Sequence, residues 1–252
     1  MTTTPHPFDQ ALVLESTAPG HFRGHTNPAY WNMIGPFGGI TAATVLRAIL
    51  LHPDRLGDPL SLTVNYAGAL STGPFTVQAM PVRTNRSTQH WNVSILQTGA
   101  QGEQVVTTTA TAVTAVRRET WGVDDEPMPA VPAPDRVARV TIAPQVAWPQ
   151  RYAMRFITGT IPERWDGQGD TSLIQMWVRD EPQRGLDFTS LSALADVFFP
   201  RVWLLIPLVT LLMWLANSLR IAALVLVGTW VSPEIAGEGF HSQIGWLLFN
   251  AV

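Results

Sequence analysis

PFGGITAATVLRAILLHP, residues 36–53, reads as one buried helix and decides the rest of the fold. Glycine stands ahead of it at 38 and 39, the helical run is Ile40 to Leu51, and Pro53 stops it. Arg47 and the threonines at 41 and 44 are its only polar members, so it is apolar on every side and needs something larger wrapped around it. The next residues supply the wrapping. Leu60, Leu62, Val64 and Tyr66 alternate with Ser61, Thr63 and Asn65, the pattern of a half-buried strand. Residues 75–82, 90–97 and 104–113 repeat it, separated by turn-rich stretches such as Ser71-Thr72-Gly73-Pro74 and Asn85-Arg86-Ser87-Thr88. One wrapped helix followed by an antiparallel meander gives an α+β architecture.

Composition narrows the function. The chain has 252 residues, 46% apolar and 14% charged, which is globular and rules out wholesale disorder. A net charge of −3 supplies no basic stripe for phosphate backbones, so nucleic acid is not an expected partner. With no Cys there is no disulfide framework, no thiolate nucleophile and no Cys-held metal, and neither a metal nor a cofactor is expected. MTTTPHPFDQ, at the start, has neither a basic nor an apolar leader region, so residues 1–201 are expected in the cytoplasm.

A glycine pair opening a small-residue helix, then strands with an Arg-Ser-Thr turn before the third, resembles the first half of a type II acyl-CoA thioesterase. That family has a double-hotdog fold, in which a curved antiparallel sheet wraps a central helix and two such units in one chain stand in for a dimer. The resemblance covers residues 10–118 and implies acyl-CoA as the small-molecule substrate. Gly38 and Gly39 either only let the chain turn into a packed helix, or also present backbone N–H groups to the oxygen of a thioester carbonyl. Arg86 either meets a nucleotide phosphate or is solvated in its turn. His90 is read as structural.

Residues 121–150 are a proline-rich linker, with prolines at 127, 129, 132, 134, 144 and 149. After it come strands at 151–159 and 172–179 and a capped helix, 187–199, ending at Pro200. Asp196 is a carboxylate in the last turn of that helix, where the helix dipole disfavours it. The stretch LSALADVFFP, 191–200, resembles the second-hotdog helix of the same thioesterases, whose Asp activates the hydrolytic water. The resemblance therefore makes Asp196 catalytic, beside a helix N-terminus of the other hotdog. It also implies a catalytic Thr, near Thr210 but two positions out of register, and a late Gln with no counterpart here.

Residues 1–120 are thus read as a complete hotdog unit and 151–201 as a truncated second one. From Val202 on, the only charged residues are Arg220, Glu234 and Glu238. Residues 198–219 would reach about 33 Å as a helix, enough to span a bilayer. The tail is accordingly expected as apolar helices, inserted in the inner membrane, against an alternative of buried strands in an unusual second unit. Its segments Asn217-Ser218-Leu219-Arg220 and Gly239-Phe240-His241-Ser242 resemble the end of an exosortase, a membrane transpeptidase, with Arg220 and His241 as remnants of a site that lacks its Cys. Phe199-Pro200-Arg201 would then be a fusion junction. A half-built sheet leaves an open edge, and a homo-oligomer is expected. The function the resemblance implies is acyl-CoA thioester hydrolysis, against the alternatives of a non-catalytic fusion or binding module with a membrane tail and of a catalytically dead exosortase-like membrane protein.

Overall fold

A computed structural model describes residues 5–99, 101–123, 125, 127–142, 144–161 and 173–198, together with Leu211, Trp214, Leu215, Asn217, Ser218, Ile221, Ala222 and Thr229. The chain divides into two units, one of residues 1–160 with 173–198, the other of 161–172 with 199–252.

The first unit opens with a short helix, α1 (Pro7–Ala11), and a hairpin of β1 (Glu15–Ala18) and β2 (His21–His25). Then come α2 (Gly38–Leu50), β3 (Asp58–Tyr66), β4 (Pro74–Thr84), β5 (Thr88–Thr98) and β6 (Gln104–Ala115). The sequence pattern had no α1, β1 or β2. All four β1 residues are exposed and β2 is five residues long, so neither carries a readable alternation. Gly20 makes their turn at φ +72°, a conformation that favours glycine.

The six strands form one antiparallel sheet in the order β1-β2-β4-β5-β6-β3. This corrects the expected meander: β3 crosses the sheet and pairs with β6, from Asp58 opposite Ala115 to Tyr66 opposite Thr108. As an edge strand it is also less covered than its alternation suggests, with Leu60 70% and Tyr66 52% exposed. The curved sheet closes on α2, whose Val45, Ala48 and Ile49 pack against Val77, Trp91, Val93 and Ile95. Burying each such large aliphatic side chain is worth about 1.5–3 kcal/mol. Trp91 keeps its ring nitrogen satisfied inside the core by donating to Thr114 Oγ1 at 3.1 Å.

The proline-rich stretch carries no strand among its described residues, yet its end is anchored. Trp148 is buried and stacks on Phe37 at 4.2 Å between ring centroids. A second hairpin follows, β7 (Tyr152–Thr158) with β8 (Gln175–Asp180), and then α3 (Phe188–Leu194). The helix expected to run to 199 stops at Leu194. Its N-terminus is as predicted: Asp187 caps it, accepting from the Ser190 N–H at 2.8 Å while Ser190 Oγ accepts from the Asp187 N–H at 3.0 Å.

Arg184 fastens this cap to α1, bridging Asp9 at 2.8 Å and Asp187 at 2.6 Å. Burial by itself would raise the Asp187 carboxyl, but hydrogen bonds from Arg184, the Ser190 backbone and Thr189 outweigh it and hold the group well below the usual carboxylate range. A depressed folded pKa means that the contribution is full above the unfolded value near 4 and is lost as pH falls towards the folded value. Asp187→Ala is expected to lower stability by about 1–2 kcal/mol at pH 7. The gap between mutant and wild type should close on acidification below about pH 4, as urea titrations at several pH values would show.

In the second unit the described positions from Leu211 to Thr229 are helical, so at those positions the alternative of strands is set aside. No helix among the described residues is long and apolar enough to cross a membrane.

Candidate active site

Two helices whose sequences have nothing in common meet end to end. α2 starts at Gly38, and α3, two residues before Asp196, ends beside it. A Cβ built on Gly38 would lie 2.6 Å from Asp196 Oδ2 and 3.2 Å from Tyr66 Oη. One built on Gly39 would lie 2.6 Å from the Ala193 carbonyl oxygen. Close approach therefore requires glycine at 39, where a side chain would take the space of the α3 backbone, and a side chain at 38 would displace the Asp196 carboxylate.

The Gly39 N–H lies on the side of the Asp196 carboxylate and favours its charged form. This resolves the misplaced carboxylate of the sequence reading. Asp196 lies past the C-cap Ala195, outside α3, and the dipole end it faces is the positive N-terminus of α2. Burial nevertheless pushes its carboxyl above the ordinary range, with the Gly39 N–H pulling the other way. The side chain is half-buried, with one edge left to solvent.

Tyr66 completes the cluster, and sequence reasoning missed it because the β3 alternation assigned it to packing. Its hydroxyl donates to the Gly38 carbonyl at 2.9 Å. Burial, and then the charge of Asp196, push the phenol up to about 12, so it stays a neutral donor at physiological pH.

Asp196 and Tyr66 sit in a groove of about 620 Å³ whose other walls are mostly apolar, among them Leu46, Leu60, Leu62, Val64 and Leu191, with Arg117 also on the rim. Arg86 does not line this groove; it is exposed in the turn between β4 and β5, and Arg117 is the cation the groove does have. His90 lies with Ser61, Thr63, Asn92 and Thr111 along a smaller depression, away from Asp196. Among the described residues no group of His, Cys, Asp or Glu could hold a metal ion. Thr210, Arg220 and His241 lie outside the described residues.

Residues 27–115 match the acyl-CoA thioesterase N-terminal domain and residues 124–232 the acyl-CoA thioesterase C-terminal domain. Among solved structures, a conserved protein of unknown function with a hotdog fold from Alicyclobacillus acidocaldarius is 44% identical, over 79% of this chain and 72% of that one, with a TM-score of 0.72. An acyl-CoA thioesterase II from Mycobacterium marinum shares the fold at 19% identity and a TM-score of 0.57, over 76% of this chain and 69% of that one. No functionally curated protein matches. The C-terminal domain match runs through the expected fusion junction to residue 232, and the exosortase resemblance of the tail finds no support. With both domains present in order over most of its length, the chain belongs to the acyl-CoA thioesterase family of hotdog-fold thioester hydrolases.

Proposed function

We propose that this chain hydrolyses acyl-CoA thioesters to a free acid and CoA at the meeting point of α2 and α3. The observation that carries this reading is the Asp196 carboxylate, set against the glycine-opened start of α2 and lining a mostly apolar groove. Asp196 takes a proton from a water molecule, and the hydroxide so formed adds to the thioester carbonyl carbon. The tetrahedral intermediate expels the CoA sulfur, which recovers the proton and leaves as thiol. Since the Gly39 N–H faces Asp196, the Gly38 N–H, unpaired within its helix as every first-turn donor is, stabilises the oxyanion. Tyr66 donates to the Gly38 carbonyl, which shares a peptide plane with the Gly39 N–H, and so aims that N–H at Asp196. The acyl chain lies along Leu46, Leu60, Leu62 and Val64. Water is the only co-reactant, and no cofactor takes part.

Purified protein supplied with a medium-chain acyl-CoA should release free thiol, and the rate should depend on pH through Asp196. The ionised form is the base, and its pKa is raised, so the rate should climb with pH through a single ionisation above the ordinary carboxylate value near 4. A thiol-trapping assay across pH reads both. Absence of release at any pH, or a rate flat across the acidic range, would contradict the assignment.

A further inference from the structure

Outside the groove, four polar side-chain atoms are buried with no hydrogen-bond partner among the described residues: Tyr30 Oη, Arg151 Nε, Tyr152 Oη and Asp180 Oδ1. The residues that carry three of them are sealed from solvent, Tyr30 being 0%, Tyr152 2% and Asp180 3% exposed. Orphaned groups of this kind are rare in folded proteins, because each costs the desolvation of a donor or acceptor with nothing in return. Four in one place call for a shared partner.

The fold brings them together. The β7–β8 register sets Tyr152 directly opposite Asp180, and Arg151 precedes Tyr152 in the chain. Tyr30 arrives from the 3₁₀ turn Pro28–Tyr30, its ring edge-on to that of Tyr152 at 6.3 Å between centroids. Phe8 packs edge-on against Tyr30, and Phe37 against Tyr152, both at 6.0 Å. Burial raises both phenols above their ordinary value, the Asp180 charge raises them further, and Arg151 opposes the shift at Tyr30, so these groups lie within electrostatic reach of one another. Yet none of the four atoms bonds another.

We propose that these four atoms surround an internal water site that ties the N-terminal thioesterase domain to the C-terminal one. The Asp180 oxygen needs a donor, the Arg151 Nε–H needs an acceptor, and each phenol serves as either. One water molecule meets that set: it accepts from Arg151 and one phenol and donates to Asp180 and the other phenol, within the two to four bonds that internal waters make. An anion would face the Asp180 carboxylate and a cation the Arg151 guanidinium, so a neutral ligand fits where an ion does not. Tyr30 belongs to the N-terminal domain match and the other three residues to the C-terminal one, so the water is a bond between the domains. Tyr152 also meets the ring of Phe37, the residue before α2, and the hydrated cluster thereby backs the helix start against which Asp196 is set.

A high-resolution crystal structure of the wild type should show one water oxygen within about 3.2 Å of both phenol oxygens and of Asp180 Oδ1. Tyr30→Phe and Tyr152→Phe keep the rings and each remove one bond to that water, so each should lower the melting temperature by about 2–4 °C. The double variant should lose clearly less than the sum of the two, because both hydroxyls serve the same water. Hydroxyls without a partner would give the opposite sign, since phenylalanine would then remove an uncompensated buried dipole and raise the melting temperature. A rise in either single variant, additive losses in the double, or a structure in which the hydroxyls bond Asp180 or another part of the chain directly would overturn the proposal. None of these readouts depends on thioesterase activity.

Discussion

Asp196→Asn should leave a folded protein that releases CoA thiol at least a hundredfold more slowly than wild type. Positioned proton transfer contributes about 10²- to 10⁴-fold to such reactions, and among the described residues no second carboxylate lines the groove to take over. The stability change is expected to run the other way. A carboxyl raised above its unfolded value is a group the fold prefers neutral, so its ionisation opposes folding at every pH above about 4. Asparagine is neutral and can still turn its carbonyl oxygen to the Gly39 N–H, so the melting temperature should stay level or rise. Lost rate with retained or increased stability separates a chemical role from a structural one; a parallel loss of both would reduce Asp196 to a packing residue. Steady-state kinetics and calorimetry on the same preparation decide it.

Gly39→Ala is the second large effect, and it should damage both properties. The added methyl would press on the Phe37 ring and on the Ala193 carbonyl, which is backbone and cannot swing aside. Overpacking of this kind costs about 1–3 kcal/mol. The strain is relieved only by moving the end of α3 away from α2, which carries Asp196 away from the Gly39 N–H. Misplacing a catalytic group by about 1 Å can cost about a hundredfold in rate, so kcat should fall by that order together with the melting temperature. Gly38→Ala meets side-chain atoms of Asp196 and Tyr66 instead of backbone, so its stability loss should be smaller for a similar loss of rate. Equal, near-wild-type rates in both alanine variants would show that the close approach of the helices is incidental to catalysis.

The contrast between Asp196 and Tyr66 shows what the sequence discloses. Asp196 stood out because a carboxylate among Leu, Ala, Val and Phe is out of place, and that signal is local. The reason it is tolerated is not local: the N-terminus of α2, more than 150 residues earlier, lies against it. Tyr66 gave no signal, since an aromatic residue at an apolar position of an alternating strand is what packing predicts. Likewise α2 and β4 to β6 were readable from their periods, whereas the displacement of β3 to the far edge depends on long-range pairing that no period encodes. The sequence overstates the length of α3 because Val197 and Phe198 continue its apolar character, whereas the helical i to i−4 bonding ends at the Ala195 N–H and gives way to tighter turns. In the tail, low charge density suggests a foreign segment, yet the thioesterase C-terminal domain match extends over residues 202–232. Composition records how apolar a segment is, and an apolar segment can belong to a soluble core as well as to a membrane span.

The most direct test of the central claim is a crystal structure of the chain with a non-hydrolysable acyl-CoA analogue, a ketone with CH₂ in place of the thioester sulfur. The analogue carbonyl oxygen should accept from the Gly38 N–H, with a water molecule between the carbonyl carbon and the Asp196 carboxylate and the acyl chain along Leu60, Leu62 and Val64. An analogue seated instead in the depression beside His90 and Asn92, or one whose carbonyl lies out of reach of both Gly38 and Asp196, would contradict the account.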